Sequence, residues 1–184
     1  MFLRSAAAAI FTLTLTTALA FAALGLGTKA PPFTAQASLG GTVFSFSLTD
    51  ALKRGPVVLY FYPAAFTQGC TIEAHDFADA IDQYKALGAT VIGVSHDTIE
   101  TLNRFSVSEC RSKFPVAADP DLSVAREYDA ILPQHAQYAN RTSYVIVPDG
   151  SIIYTYTNLD PSQHVANTLA ALRAWEQAHP MPRR

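Results

Sequence analysis

Val57-Val58-Leu59-Tyr60-Phe61-Tyr62 is an unbroken run of six apolar side chains, stopped by Pro63. A strand with one face in water alternates apolar and polar residues. A run without alternation, rich in β-branched and aromatic residues, must be covered on both faces. It is also too short for an ordinary helix or a membrane span. It predicts a central strand in a sheet with helices on either side.

The flanking pattern agrees. Gly69 to about Leu87 reads as a helix ending at Gly88, with Cys70, Ala74, Phe77, Ile81 and Tyr84 at spacings of four, three, four and three forming one apolar stripe. Thr90–Val94 is the next buried strand. Asp97 is the expected cap of a further helix, with Glu100 completing a capping box and Ile99, Leu102 and Phe105 facing inward. Upstream, Pro31-Pro32 excludes regular structure, Gly40-Gly41 turns the chain into a strand or hairpin arm over Thr42–Leu48, and Thr49–Arg54 is a short helical segment. Downstream, Asp119-Pro120-Asp121 opens a short helix through Tyr128. Ser143–Val147 and Ile152–Thr157 pair around Pro148-Asp149-Gly150. Asp160-Pro161-Ser162-Gln163 starts a last helix whose core face is Val165, Leu169, Leu172 and Trp175. Strand–helix–strand–helix, a hairpin and a closing helix make an α/β fold of thioredoxin-like order, a central mixed β-sheet flanked by helices.

The 49% hydrophobic content is uneven. Arg4 precedes an uncharged run from Ser5 to Leu26 rich in Ala, Thr and Leu, with Ala-x-Ala steps at Ala18 and Ala20. This is the pattern of a secretory signal peptide over residues 1–22, removed to leave one domain over residues 27–180. An uncleaved membrane anchor is the alternative. The expected location is periplasmic or secreted, without stable membrane association once the leader is cut. A formal net charge of −2 with no clustered basic face argues against nucleic-acid binding. Two cysteines in 184 residues cannot build a disulfide scaffold or a cysteine-rich metal centre.

Cys70 falls in the first turn of the helix after the central strand. Unpaired N–H groups and the positive end of the helix dipole there favour a thiolate over a thiol. Gly69 permits close approach, and the Thr67 hydroxyl is placed to donate to the sulfur or to a bound substrate. A small buried hydrophobe at the head of the stripe fits the spacing equally well.

Pro63-x-x-x-Thr67-x-x-Cys70 after an aromatic strand resembles the active-site signature of the peroxiredoxins. The extension Thr67-x-Gly69-Cys70-Thr71-x-Glu73-Ala74 is most similar to the Q-type, or bacterioferritin-comigratory-protein, branch. The resemblance runs from Lys29-Ala30-Pro31-x-Phe33 through Gly93-Val94-Ser95 and Asp119-Pro120-Asp121 to Arg141-x-Ser143-Tyr144. It implies a thiol-dependent peroxidase, without cofactor or metal, that reduces hydrogen peroxide and organic hydroperoxides. Cys70 would be the peroxidatic cysteine, becoming a sulfenic acid. Pro63 would shield it, Thr67 would bond the peroxide, and Arg141 would stabilise thiolate and leaving oxygen. Glu73 would orient Arg141 or serve only as a first-turn acid. A thioredoxin-like, glutaredoxin-like or small-thiol reductant would recycle the enzyme, as a monomer or homodimer.

The sequence departs from that branch at His75, where many members carry a resolving cysteine five residues after the peroxidatic one. His75 lies about 140° around the helix from Cys70, too far to be its base, and reads as a solvated or packing residue. Cys110 is either a buried structural residue on the inner face of the Asp97 helix or a resolving cysteine reached by local unfolding. A one-cysteine mechanism also fits. Phe61 and Phe66 suggest an apolar pocket rim. A thiol–disulfide oxidoreductase needs a second cysteine where Thr67 stands. A cysteine hydrolase needs an oriented histidine, and His96, His135, His164 and His179 read as ordinary polar or turn residues. A non-catalytic thioredoxin-like binding module would show no reactive thiol.

Overall fold

The computed structural model describes residues 23–180. The expected signal peptide or anchor, residues 1–22, lies outside the described residues.

The buried run becomes strand β3, Val57–Phe61, with every residue inaccessible to solvent. It pairs in parallel with β4, Thr90–Ser95, and antiparallel with β6, Thr142–Ile146. The remaining strands are β1 (Thr34–Leu39), β2 (Thr42–Ser47), β5 (Val116–Ala118) and β7 (Ile152–Thr157). They complete a seven-stranded mixed sheet in the order β2-β1-β5-β4-β3-β6-β7. No helix among the described residues is long and apolar enough to cross a membrane.

The two faces of β3 head separate cores, because side chains alternate along a strand. Val57, Leu59 and Phe61 pack with Tyr128 and Tyr144 on one face, covered by the short helices α1 (Leu48–Leu52) and α4 (Ser123–Glu127). Val58, Tyr60 and Tyr62 pack on the other, under α2 (Gln68–Ala86), α3 (Ile99–Ser108) and α5 (His164–Ala178). The predicted stripe of α2 is entirely buried, and Tyr60 stacks on Phe77 at 4.4 Å between ring centroids. Gly88, at φ +66°, ends α2 in the left-handed conformation that glycine adopts without strain.

Several details differ from expectation. β1 and the three-residue β5 have no strong apolar pattern; they are strands because pairing partners hold them. The cap of α3 is Thr98, not Asp97. Asp97 instead accepts from the Ala65 amide at 2.7 Å and the Ser95 hydroxyl at 2.8 Å, tying the loop after β3 to the end of β4. Because α3 stops at Ser108, Cys110 lies beyond it. Phe61 faces the core away from α2 and lines no rim, whereas Phe66 is 47% exposed and edge-on to Phe105. In α5, Val165 and Trp175 are only half-buried, whereas His164 and Thr168 are fully buried.

Candidate active site

Cys70 and Arg141 meet because of how β3 and β6 pair. Phe61 is opposite Thr142, so Arg141 lies beside the end of β3, where the chain leaves for α2. Cys70 is the third residue of α2, 2% exposed. Nη2 of Arg141 is 3.5 Å from its sulfur. Gly69 leaves room for this approach, since a Cβ there would sit 3.0 Å from Nη2. The rest of the guanidinium is also engaged: Nη1 donates to a Glu73 carboxylate oxygen, and Nε donates to the Leu159 carbonyl at 2.9 Å. Arg141 is therefore a buried, three-way anchored cation beside the sulfur, not a surface residue at a strand end.

Glu73, one turn after Cys70, has no exposed surface. Burial pushes its carboxyl up, and the Arg141 guanidinium pulls it down without fully offsetting that cost. Its second oxygen has no hydrogen-bond partner among the described residues and stands 3.6 Å from Nδ1 of His164. Sequence reasoning passed over His164. The available signal was spacing: stepping back from Leu172 by fours reaches Thr168 and His164 on the inner face of α5.

The Thr67 hydroxyl does not donate to the sulfur. It donates to the Ala64 carbonyl at 2.9 Å, and its exposed oxygen remains free to accept. Thr67 is the N-cap residue of α2 yet makes no side-chain cap bond, so no side chain occupies the amides of the first turn. Pro63 is half-buried, and its carbonyl accepts from Nδ1 of His96 at 2.9 Å.

Cys110 is free and fully buried in the same core layer as Cys70. Burial, with Glu109 adjacent, pushes its thiol well above the ordinary cysteine range. Arg111 and Ser112 follow it with φ of +50° and +56°, consecutive left-handed residues that carry backbone strain. His75 does not approach the sulfur; its Nε2 pairs with Glu109 at 2.9 Å. One turn along α2, Asp79 pairs with Arg111. Among the described residues no group of three or more His, Cys, Asp or Glu side chains could hold a metal ion.

Known proteins resemble this chain in sequence and fold. The sequence profile of the AhpC/TSA family matches residues 26–155. Peroxiredoxin Q of Sedum lineare, a chloroplastic protein, is 33% identical over 155 residues, covering 84% of this chain and 81% of its own. The crystal structure of peroxidoxin BcpB from Mycobacterium tuberculosis superposes with a TM-score of 0.73 at 29% identity, covering 81% of this chain and 96% of that one. Thioredoxin peroxidase I of Plasmodium yoelii superposes with a TM-score of 0.74 at 25% identity, covering 86% and 96%.

Proposed function

The chain belongs to the AhpC/TSA family and is a thiol-dependent peroxidase of the peroxiredoxin type on a thioredoxin-like fold; from that premise we propose that Cys70 is its peroxidatic cysteine. The observation that carries this reading is the Arg141–Cys70 contact in the first turn of α2. A fixed guanidinium and uncapped helix amides hold a thiolate there. The thiolate attacks the terminal oxygen of a hydroperoxide. An S–O bond forms as the O–O bond breaks, and the departing hydroxide or alkoxide takes up a proton to leave as water or alcohol. Arg141 provides a preorganised cation where negative charge moves from sulfur to leaving oxygen. Thr67 accepts from the hydroperoxide O–H, and Pro63 shields the sulfur from bulk water. Glu73 orients Arg141. Cys70→Ser should abolish peroxide consumption, and residual turnover would sink the assignment. Thr67 in place of a second cysteine disfavours a thiol–disulfide oxidoreductase.

Regeneration is proposed to run through Cys110, which forms a disulfide with Cys70 after both segments open locally. The strained backbone at Arg111 and Ser112 favours such opening. A thioredoxin-like, glutaredoxin-like or small-thiol reductant then restores the thiols. Mass spectrometry after one equivalent of peroxide decides: a Cys70–Cys110 disulfide supports this route. A persistent sulfenic or sulfinic acid on Cys70 with Cys110 free supports a one-cysteine cycle instead. The charge-poor leader supports a periplasmic or secreted enzyme, checked by fractionation and by the mass of the mature N-terminus.

A further inference from the structure

The buried carboxyl oxygen of Glu73 that lacks a partner faces a histidine whose ring is fixed from its other side. Nε2 of His164 is 2.9 Å from the Asn158 carbonyl, which can only accept, so Nε2 carries a hydrogen. Nδ1 is 2.8 Å from the Ser143 hydroxyl and 3.6 Å from Oε1 of Glu73. Neither side chain is accessible to solvent.

Counting protons decides among three arrangements. If Nδ1 and Glu73 both lack a proton, the Ser143 hydroxyl can satisfy Nδ1, but the Glu73 oxygen carries its negative charge without a hydrogen-bond partner in a dry site. Cys70 thiolate, Glu73 and Arg141 then sum to one uncompensated negative charge. If both are protonated, the site carries a surplus positive charge. Either is costly where water is excluded. One proton, on Glu73 or on Nδ1, makes the pair neutral and leaves the whole Arg141 charge to the sulfur. Ser143 accommodates both placements, since its hydroxyl can donate to Nδ1 or accept from it.

We infer that Glu73 and His164 hold a single proton between them, and that His164 is thereby a positioning residue through which Glu73 orients Arg141 without cancelling its charge. This rests on Cys70 being the peroxidatic cysteine. The other groups around the pair fit a neutral unit. Arg141 approaches from the start of β6 and Asp76 from α2, while the Tyr156 ring of β7 packs edge-on to His164 at 4.8 Å. Asp160, before α5, is exposed and caps the Ser162 amide. Burial favours the neutral form of both partners, which puts the proton on Glu73.

The test is NMR of the reduced full domain labelled with 13C at glutamate carboxyls and 15N in histidine rings. At pH 7 the expected spectrum shows a protonated Glu73 with a neutral, Nε2-protonated His164, or a carboxylate with an imidazolium. An ionised Glu73 beside a neutral His164 overturns the inference. A second readout is the pH dependence of the peroxide rate, whose alkaline limb reports loss of the shared proton. His164→Phe, which removes the acceptor, should move that limb down by about one pH unit. His164→Asn, which restores an acceptor near Nδ1, should bring it back. A limb unmoved in both variants counts against the role. Cys70→Ser separates the two readings: retained peroxide turnover would defeat the assignment of Cys70, while the NMR proton count stands or falls by itself.

Discussion

His75, five residues after Cys70 on α2, is bonded at 2.9 Å to Glu109, the residue before Cys110. One turn further, Asp79 holds Arg111, the residue after it. The two pairs strap the Cys110 segment to the helix that carries Cys70. Both bridges are partly exposed, so each contributes about 0.5 kcal/mol. Removing both, as His75→Ala with Asp79→Asn, should speed Cys70–Cys110 disulfide formation about fivefold. Quenched alkylation after one equivalent of peroxide measures this, and an unchanged rate would show that the straps do not limit opening.

Arg141→Lys keeps the charge and loses the fork. A lysine ammonium cannot reach Glu73, the Leu159 carbonyl and the sulfur from one planar group. The rate of Cys70 oxidation should fall roughly 100-fold, the scale of losing a preorganised donor. Stopped-flow kinetics should show the loss in the oxidation step and not in reduction by thiol.

Gly69→Ala tests the approach of the same guanidinium. The new Cβ would meet Nη2 at 3.0 Å, so Arg141 must give way by a few tenths of an ångström. The peroxide rate should drop about tenfold while the thermal midpoint changes little, because α2 tolerates alanine. Equal loss of stability and rate would point to helix disruption instead.

Stability should carry the imprint of the Glu73–His164 pair. Burial raises Glu73 from 4.5 to about 8 and lowers His164 from 6.5 to about 4. Between pH 4.5 and 6.5 the folded pair holds one proton on Glu73 and the unfolded pair one on His164, so the pair adds no slope. From 6.5 to 8 the folded pair still holds its proton and the unfolded pair holds none. Stability is therefore lost as pH rises, by about 1.4 kcal/mol per pH unit. Between 4.5 and about 4 the unfolded pair holds two protons and the folded pair one, so stability falls with acid, and below about 4 both hold two and the slope vanishes. Urea titrations of the parent and Glu73→Gln across pH 5–8.5 should differ in slope above pH 6.5; parallel curves would refute the assignment.

Much of this was legible along the chain because it is local. The unbroken run at Val57–Tyr62 requires cover on both faces. The stripe from Cys70 to Tyr84 requires a helix, and Gly88 ends it. Asp97 misled for a local reason too: Asp97 and Thr98 are both good caps, and only the Ala65 amide, brought over from another loop, drew Asp97 away. β5 was invisible because three residues after a proline carry no period.

The position of Cys70 in a helix's first turn, after a buried strand, is thus a property of the sequence: periodicity and end signals act within a few residues. That Arg141 is buried against its sulfur, that Glu73 is dry, and that His164 faces Glu73 belong to the tertiary structure alone. These groups come from α2, β6 and α5, and Glu73 and His164 are 91 residues apart. Their protonation depends on the exclusion of water, and only the packed sheet and helices exclude it.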